Sequence, residues 1–233
     1  MLILGMETSA RSISLALIDD SGLRGELMLN IEAHHSITLF YLLDTLFKQT
    51  GYAIGQVEAI AVSVGPGAFT SLRVGVSAAK GLGLALGKPL VGVSTLETLA
   101  WGLCYSQYYI CPILDARKKQ VYTALYHWQA GELIQILPEQ LAEPAELDRL
   151  ISKPVVFTGD AVAVYGDLLS QSFGLKAHFA PIPLRLPRAA WVAQLGWAKF
   201  KAGRQTDAQD LLPVYIRRPE AEEHKLRLSP NPA

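Results

Sequence analysis

Between Ala59 and Gly87 the chain reads as a buried strand, a glycine loop and a helix of unusual composition. Ala59-Ile60-Ala61-Val62-Ser63-Val64 is an apolar run of strand length, and Gly65-Pro66-Gly67 breaks it. Such a loop lets backbone N–H groups converge at a helix N-terminus, where an anion or a carboxylate can sit. The helix that follows, from about Thr70 to Leu86, carries Gly75, Gly81 and Gly83 in its interior. Each costs a helix roughly 1 kcal/mol relative to alanine, so close tertiary contact is expected to offset it. Ser71, Gly75, Ala79, Gly83 and Gly87 recur at every fourth position and share one face. On the pattern alone, that face fits the protein's own sheet and a second subunit equally well.

Composition narrows the class. The 233 residues are 50% hydrophobic and 18% charged, as in a globular chain with a sizeable core. Lys plus Arg and Asp plus Glu each total 21, which argues against a broad basic face for unaided nucleic-acid binding. Cys104 and Cys111 read as buried thiols in a reducing compartment. There is no apolar run of membrane-spanning length, and the start MLILGMETSARS lacks a basic export region. The expectation is a cytoplasmic protein.

The first hundred residues suggest a meander followed by helices. Strands are expected at Leu2–Met6, Ser12–Ile18 and Gly25–Glu32. Glu7-Thr8-Ser9 falls in the first turn, where a carboxylate and two hydroxyls suit either a metal-bound phosphate or the turn's own backbone. A helix is expected over Ser36–Gln49, with Ser36 as N-cap and Gly51 as its stop. Its apolar residues form two stripes: Leu39, Leu42, Leu43 and Leu46, then Ile37, Phe40, Tyr41 and Phe47. A surface helix needs one stripe, so the second points to another helix or subunit. Pro89–Val93 reads as a strand, and Ser94 with Glu97 has capping-box spacing for the helix after it.

A second region begins near Tyr108 and repeats the order of strands, then helices, without visible sequence repetition. Strands are expected at Tyr109–Leu114, Gln120–His127, Glu132–Leu137 and Pro154–Thr158. A short helix follows Pro144, another ends near Ser170, and Pro187 and Gly203 bracket a third. The tail from Pro213 is polar and expected to fray. The order implies an α/β protein of two lobes, residues 1–107 and 108–233, with the 187–203 helix assignable to either.

Catalytic chemistry is hard to find. His34, His35, His127, His178 and His224 form no metal-ligand spacing, and neither a G-x-S-x-G elbow nor a G-x-x-x-x-G-K-S/T loop occurs. Asp115, Arg117 and Asp160 sit at strand ends as placed charges or as ordinary turn residues.

At MLILGMETSARSISLALID, SVGPGAFTSLRVGVSAAKGLGLALGKPLVGVSTLETLA, DARKKQVYTALY and PVYIRR the sequence resembles the TsaB (YeaZ) family. The resemblance implies the two-lobed actin/Hsp70-like ATPase (ribonuclease H-like) fold. It also implies an accessory partner of TsaD, the transferase that moves threonylcarbamoyl from an adenylate to an adenosine beside the tRNA anticodon. TsaD holds metal through an H-x-x-x-H helix; here the matching residues run His35-Ser36-Ile37-Thr38-Leu39, which implies a paralogue with no metal site and no catalytic residues. A TsaE-type ATPase is the further implied partner, and tRNA is met through the complex, with no membrane involved. The resemblance points the interface to Ile37, Phe40, Phe47, Ser71, Gly75, Ala79 and Gly83. A homodimer in the partner's absence, and ATP or ADP near the interface, are further expectations, with Glu7, Thr8, Ser9, Gly65 and Gly67 as nucleotide candidates. Gln120 departs from the pattern DAR-x-x-E-VY, which carries a carboxylate there. Two other readings stay open: a small-molecule kinase or ATPase of the same fold, and a metallopeptidase.

Overall fold

The structure is a computed structural model that describes residues 1–31 and 35–217. His34, His224 and the tail beyond Arg217 lie outside the described residues.

The first sheet comprises β1 (Ile3–Glu7), β2 (Ile13–Asp19), β3 (Gly22–Leu29), β4 (Ala59–Gly65) and β5 (Leu90–Ser94). Its order is β3-β2-β1-β4-β5, with an antiparallel meander on one side of β1 and parallel strands on the other. The second sheet comprises β6 (Tyr109–Asp115), β7 (Val121–Gln129), β8 (Glu132–Ala142), β9 (Val155–Thr158) and β10 (Ala177–Phe179). It repeats the arrangement as β8-β7-β6-β9-β10. The two lobes are thus one topology used twice, although their sequences share no visible repeat. The three-residue β10 is too short to carry a period in the sequence.

Both faces of the first sheet are covered. Leu4, Met6, Leu15 and Leu17 pack with Leu39, Leu42, Leu43 and Leu46 of α1 (His35–Thr50) and with Val76 and Ala79 of α2 (Phe69–Leu86). Ile3, Ala59, Ala61, Val91 and Val93 meet α6 (Ala189–Lys201) on the opposite face. α6 approaches closely because two contacts lack a side chain. A Cβ at Gly5 would strike the Ala189 carbonyl, and one at Gly196 would strike Ala61. The 187–203 region therefore packs on the first lobe.

Helix α1 starts at His35, so Ser36 lies inside its first turn and is not the residue flanking it. Gly51 ends the helix at φ 73°, its N–H donating to the Phe47 carbonyl at 3.0 Å. Phe47 is 9% exposed and belongs to the core, not to the outer stripe. Gly87 closes α2 at φ 63°, and Lys88 N–H returns to the Gly83 carbonyl at 2.9 Å.

The lobes meet along α3 (Thr95–Trp101), whose Leu96, Leu99 and Ala100 cluster with Ile110, Leu114, Ala124 and Tyr126 of the second sheet. Ser94 Oγ accepts from Glu97 N–H at 3.2 Å, the expected cap, and also donates to Glu139 of β8. Helices α4 (Leu147–Leu150) and α5 (Val162–Phe173) complete the second lobe. Both cysteines are free thiols, but only Cys111 is buried as expected; Cys104, in the turn after α3, is exposed, and burial pushes the Cys111 thiol up to about 12.

The expectation of a fraying tail from Pro213 fails over 213–217. After α6 the chain turns back over the first lobe, where Thr206 and Leu90 exchange backbone hydrogen bonds at 3.0 and 2.9 Å. Ala208 and Leu211 are buried in the first-lobe core. Lys80 Nζ donates to the carbonyls of Gln209 and Leu211, and Val214 N–H donates to Val64 at 2.7 Å. The segment is held by backbone pairing and two apolar anchors, neither of which leaves a periodic signal.

Candidate functional site

Glu7 ends β1 and is 0% exposed. Its carboxylate accepts from Ser9 N–H at 2.6 Å and from the hydroxyls of Ser9 and Ser63. Burial pushes the carboxyl up from the usual range, and those three donors offset part of the shift. Thr8 turns the other way and donates its hydroxyl to the Ser71 carbonyl at 2.9 Å. Glu7 thus ties the turn to β4, and Thr8 ties it to α2.

The β4–α2 loop is equally engaged. A Cβ at Gly67 would strike the Ser9 carbonyl, which accepts from Ala68 N–H at 2.8 Å. One of the converging N–H groups is thus spent inside the chain. Gly65, at φ 120°, is covered by the Val214 carbonyl, 2.6 Å from where a Cβ would stand. Of the five nucleotide candidates, Ser9 and Gly67 line the cleft between the lobes; Glu7, Thr8 and Gly65 do not.

That cleft measures about 910 Å³. The first lobe lends it Arg11 and Arg73, the second Asp115, Arg117 and Asp160, and the C-terminal segment Tyr215 and Arg217. Asp115 N–H donates to Asp160 Oδ1 at 3.1 Å, and burial pushes the Asp160 carboxyl up. Arg117 N–H donates to Asp115 Oδ1 at 2.8 Å. The β6–β7 loop is strained: Arg117, Lys118 and Lys119 have φ of 61°, 52° and 60°. Left-handed backbone costs such residues about 1–2 kcal/mol each, so contacts around the loop must hold it.

The small-residue stripe of α2 faces inward. Ala79 is 0% exposed, Gly75 abuts Thr8, and a Cβ at Gly83 would come within 2.8 Å of Leu90. Gly75, Ala79 and Gly83 are therefore contacts with the protein's own lobe and offer nothing to a partner; Ser71 is half-buried beside them. The interface assignment of Gly75, Ala79 and Gly83 is corrected by that packing, as is that of Phe47.

What α1 and α2 present outward is different. Ile37, Phe40 and Tyr41 are 72%, 52% and 67% exposed, and Leu84 of α2 is 68% exposed. The outer face of α2 also carries Ser77, Gly81 and Ala85, a second run of small residues spaced by four and exposed throughout. A Cβ at Gly81 would meet nothing within 4 Å. The sequence carries this outer run at the same spacing of four as the longer inner one. Among the described residues no group of three His, Cys, Asp or Glu side chains is placed to hold a metal ion. No described helix is long and apolar enough to cross a membrane.

A family model described as "TsaD: tRNA N6-adenosine threonylcarbamoyltransferase" matches residues 30–225. The tRNA threonylcarbamoyladenosine biosynthesis protein TsaB of Bacillus subtilis (strain 168) is 33% identical over 225 residues, spanning 95% of this chain and 96% of the relative. The chain belongs to the TsaB (YeaZ) family. The likeness to the TsaB family extends to solved structures: YeaZ from Pseudomonas aeruginosa superposes with a TM-score of 0.79 at 27% identity, covering 92% of this chain and 99% of that one. The (R)-2-hydroxyglutaryl-CoA dehydratase component A of Acidaminococcus fermentans shares the fold alone, at TM-score 0.51 and 11% identity over 85% of this chain and 98% of that one. The doubled topology is the two-lobed actin/Hsp70-like fold, and in this chain α1 and α2 carry the apolar outer face.

Proposed function

We propose that this chain works in tRNA threonylcarbamoyladenosine biosynthesis as a subunit without chemistry of its own, holding a TsaD-type transferase in its active arrangement. The observation that carries the reading is Gly81. Gly75 and Gly83 have their helix cost offset by internal close packing, whereas Gly81 faces open space beside Ser77, Ala85 and Leu84. A second helix bundle packing on α1 and α2 supplies the missing contact, with Ile37, Phe40 and Tyr41 as its apolar anchors. The Bacillus subtilis relative is named for the biosynthesis of this modification, which supports the pathway. The engagement of Glu7 with Ser9 and Ser63 supports a role outside catalysis, because it leaves that carboxylate no reach toward a ligand.

The proposal extends to a TsaE-type ATPase as a third component, to adenine nucleotide held near the partner interface, and to pairing of two copies through the same face when the transferase is absent. A reconstitution tests it. The transferase, the ATPase, the threonylcarbamoyl adenylate and unmodified tRNA are combined with or without this chain, and the modified nucleoside is measured by mass spectrometry. Modification that requires the chain supports the reading. Full-rate modification without it, or sustained ATP turnover by the chain alone, overturns it.

A further inference from the structure

The C-terminal segment touches both lobes. Ala208 and Leu211 root it in the first-lobe core, and Val214 N–H pairs with Val64 beside the glycine loop. Tyr215 then lies in the cleft, its ring 5.1 Å from that of Phe69, and its hydroxyl accepts from Arg73 Nε at 3.1 Å. Two residues later the segment reaches the second lobe. Arg217 Nη1 donates to the Ala116 carbonyl and Nη2 to Gln120 Oε1. Both acceptors flank the three left-handed residues Arg117, Lys118 and Lys119 of the β6–β7 loop.

We propose that residues 206–217 form a releasable latch across the cleft, fixing the separation of the two lobes through the grip of Arg217 on the β6–β7 loop. This goes beyond the partner-docking reading and does not depend on it. A guanidinium that bridges a main-chain carbonyl and a neutral amide makes two directed hydrogen bonds without an ion pair. The grip is therefore strong enough to order a strained loop and weak enough to open. Gln120 sets that strength, because a carboxylate in its place would turn one of the two bonds into a salt bridge. Opening would withdraw Tyr215 and Arg217 from the cleft they line and free the lobes to turn about the α3 seam.

Hydrogen exchange on the full chain, read by mass spectrometry beside small-angle scattering, tests the latch with two variants of opposite sign. Arg217→Ala should speed exchange over residues 115–121 and 212–217 by roughly tenfold, the scale of a lost charge-assisted contact. It should leave β1, β4, β6 and β9 at wild-type protection and enlarge the radius of gyration. Gln120→Glu should slow exchange in the same two segments. Wild-type exchange over 115–121 in Arg217→Ala overturns the latch, and so does a uniform acceleration in both sheets. If Arg217→Ala does not fold, Gln120→Glu decides: slowed exchange supports the latch, and unchanged or faster exchange overturns it.

Discussion

Gly75 of α2 stands directly against Thr8: a Cβ at position 75 would run into the Thr8 hydroxyl, which is itself committed to the Ser71 carbonyl at 2.9 Å. The helix can lie this close to the β1–β2 turn because it has no side chain there. Gly75→Ala gains helix propensity, yet must push the helix off the turn, and overpacking of this kind costs typically ~1–3 kcal/mol. For a chain of this length each kcal/mol lowers Tm by roughly 2–4 °C. A thermal melt should show the drop. An unchanged or raised melting temperature would mean that the stripe does not bear on the lobe's own packing.

The Glu7 carboxyl makes a prediction about pH. Burial raises its folded-state pKa above the ordinary 4.5, so the native state holds the proton more tightly than the unfolded chain does. Its contribution favours folding below that ordinary value and is lost as pH rises through the raised one. Glu7→Gln removes the titration. The stability difference between variant and wild type, from denaturant melts between pH 4 and 8, should move in the variant's favour as pH rises. A difference moving toward the wild type would show a carboxylate stabilised as the anion.

Much of the fold was legible because periodicity and turn chemistry agree. The strand, loop and helix from Ala59 to Gly87 and the Ser94–Glu97 cap were read directly and match the structure. The site was harder to read. A stripe such as Gly75, Ala79 and Gly83 looks the same whether a sheet or a subunit covers it. Its burial depends on where β1 and β5 lie, which no local pattern encodes. The departure at Gln120 was visible, but its partner Arg217 lies 97 residues away in a segment with no period. Phe47 shares a helical face with Phe40, yet it belongs to the first-lobe core while Phe40 faces outward.

Gly81→Leu probes the packing of a TsaD-type partner on the outer face of α2. A Cβ there meets no atom of this chain within 4 Å, the position is exposed, and leucine improves helix propensity, so the melting temperature should hold or rise. Against a helix packed closely on that face it overfills the contact by ~1–3 kcal/mol, a roughly fivefold to hundredfold loss of affinity. Titration calorimetry of wild type and variant with the TsaD-type transferase reads this loss. The wild type should bind stoichiometrically, and Gly81→Leu at least about fivefold more weakly at an undiminished melting temperature. Equal affinities for the two proteins, or no binding by the wild type, would contradict that packing.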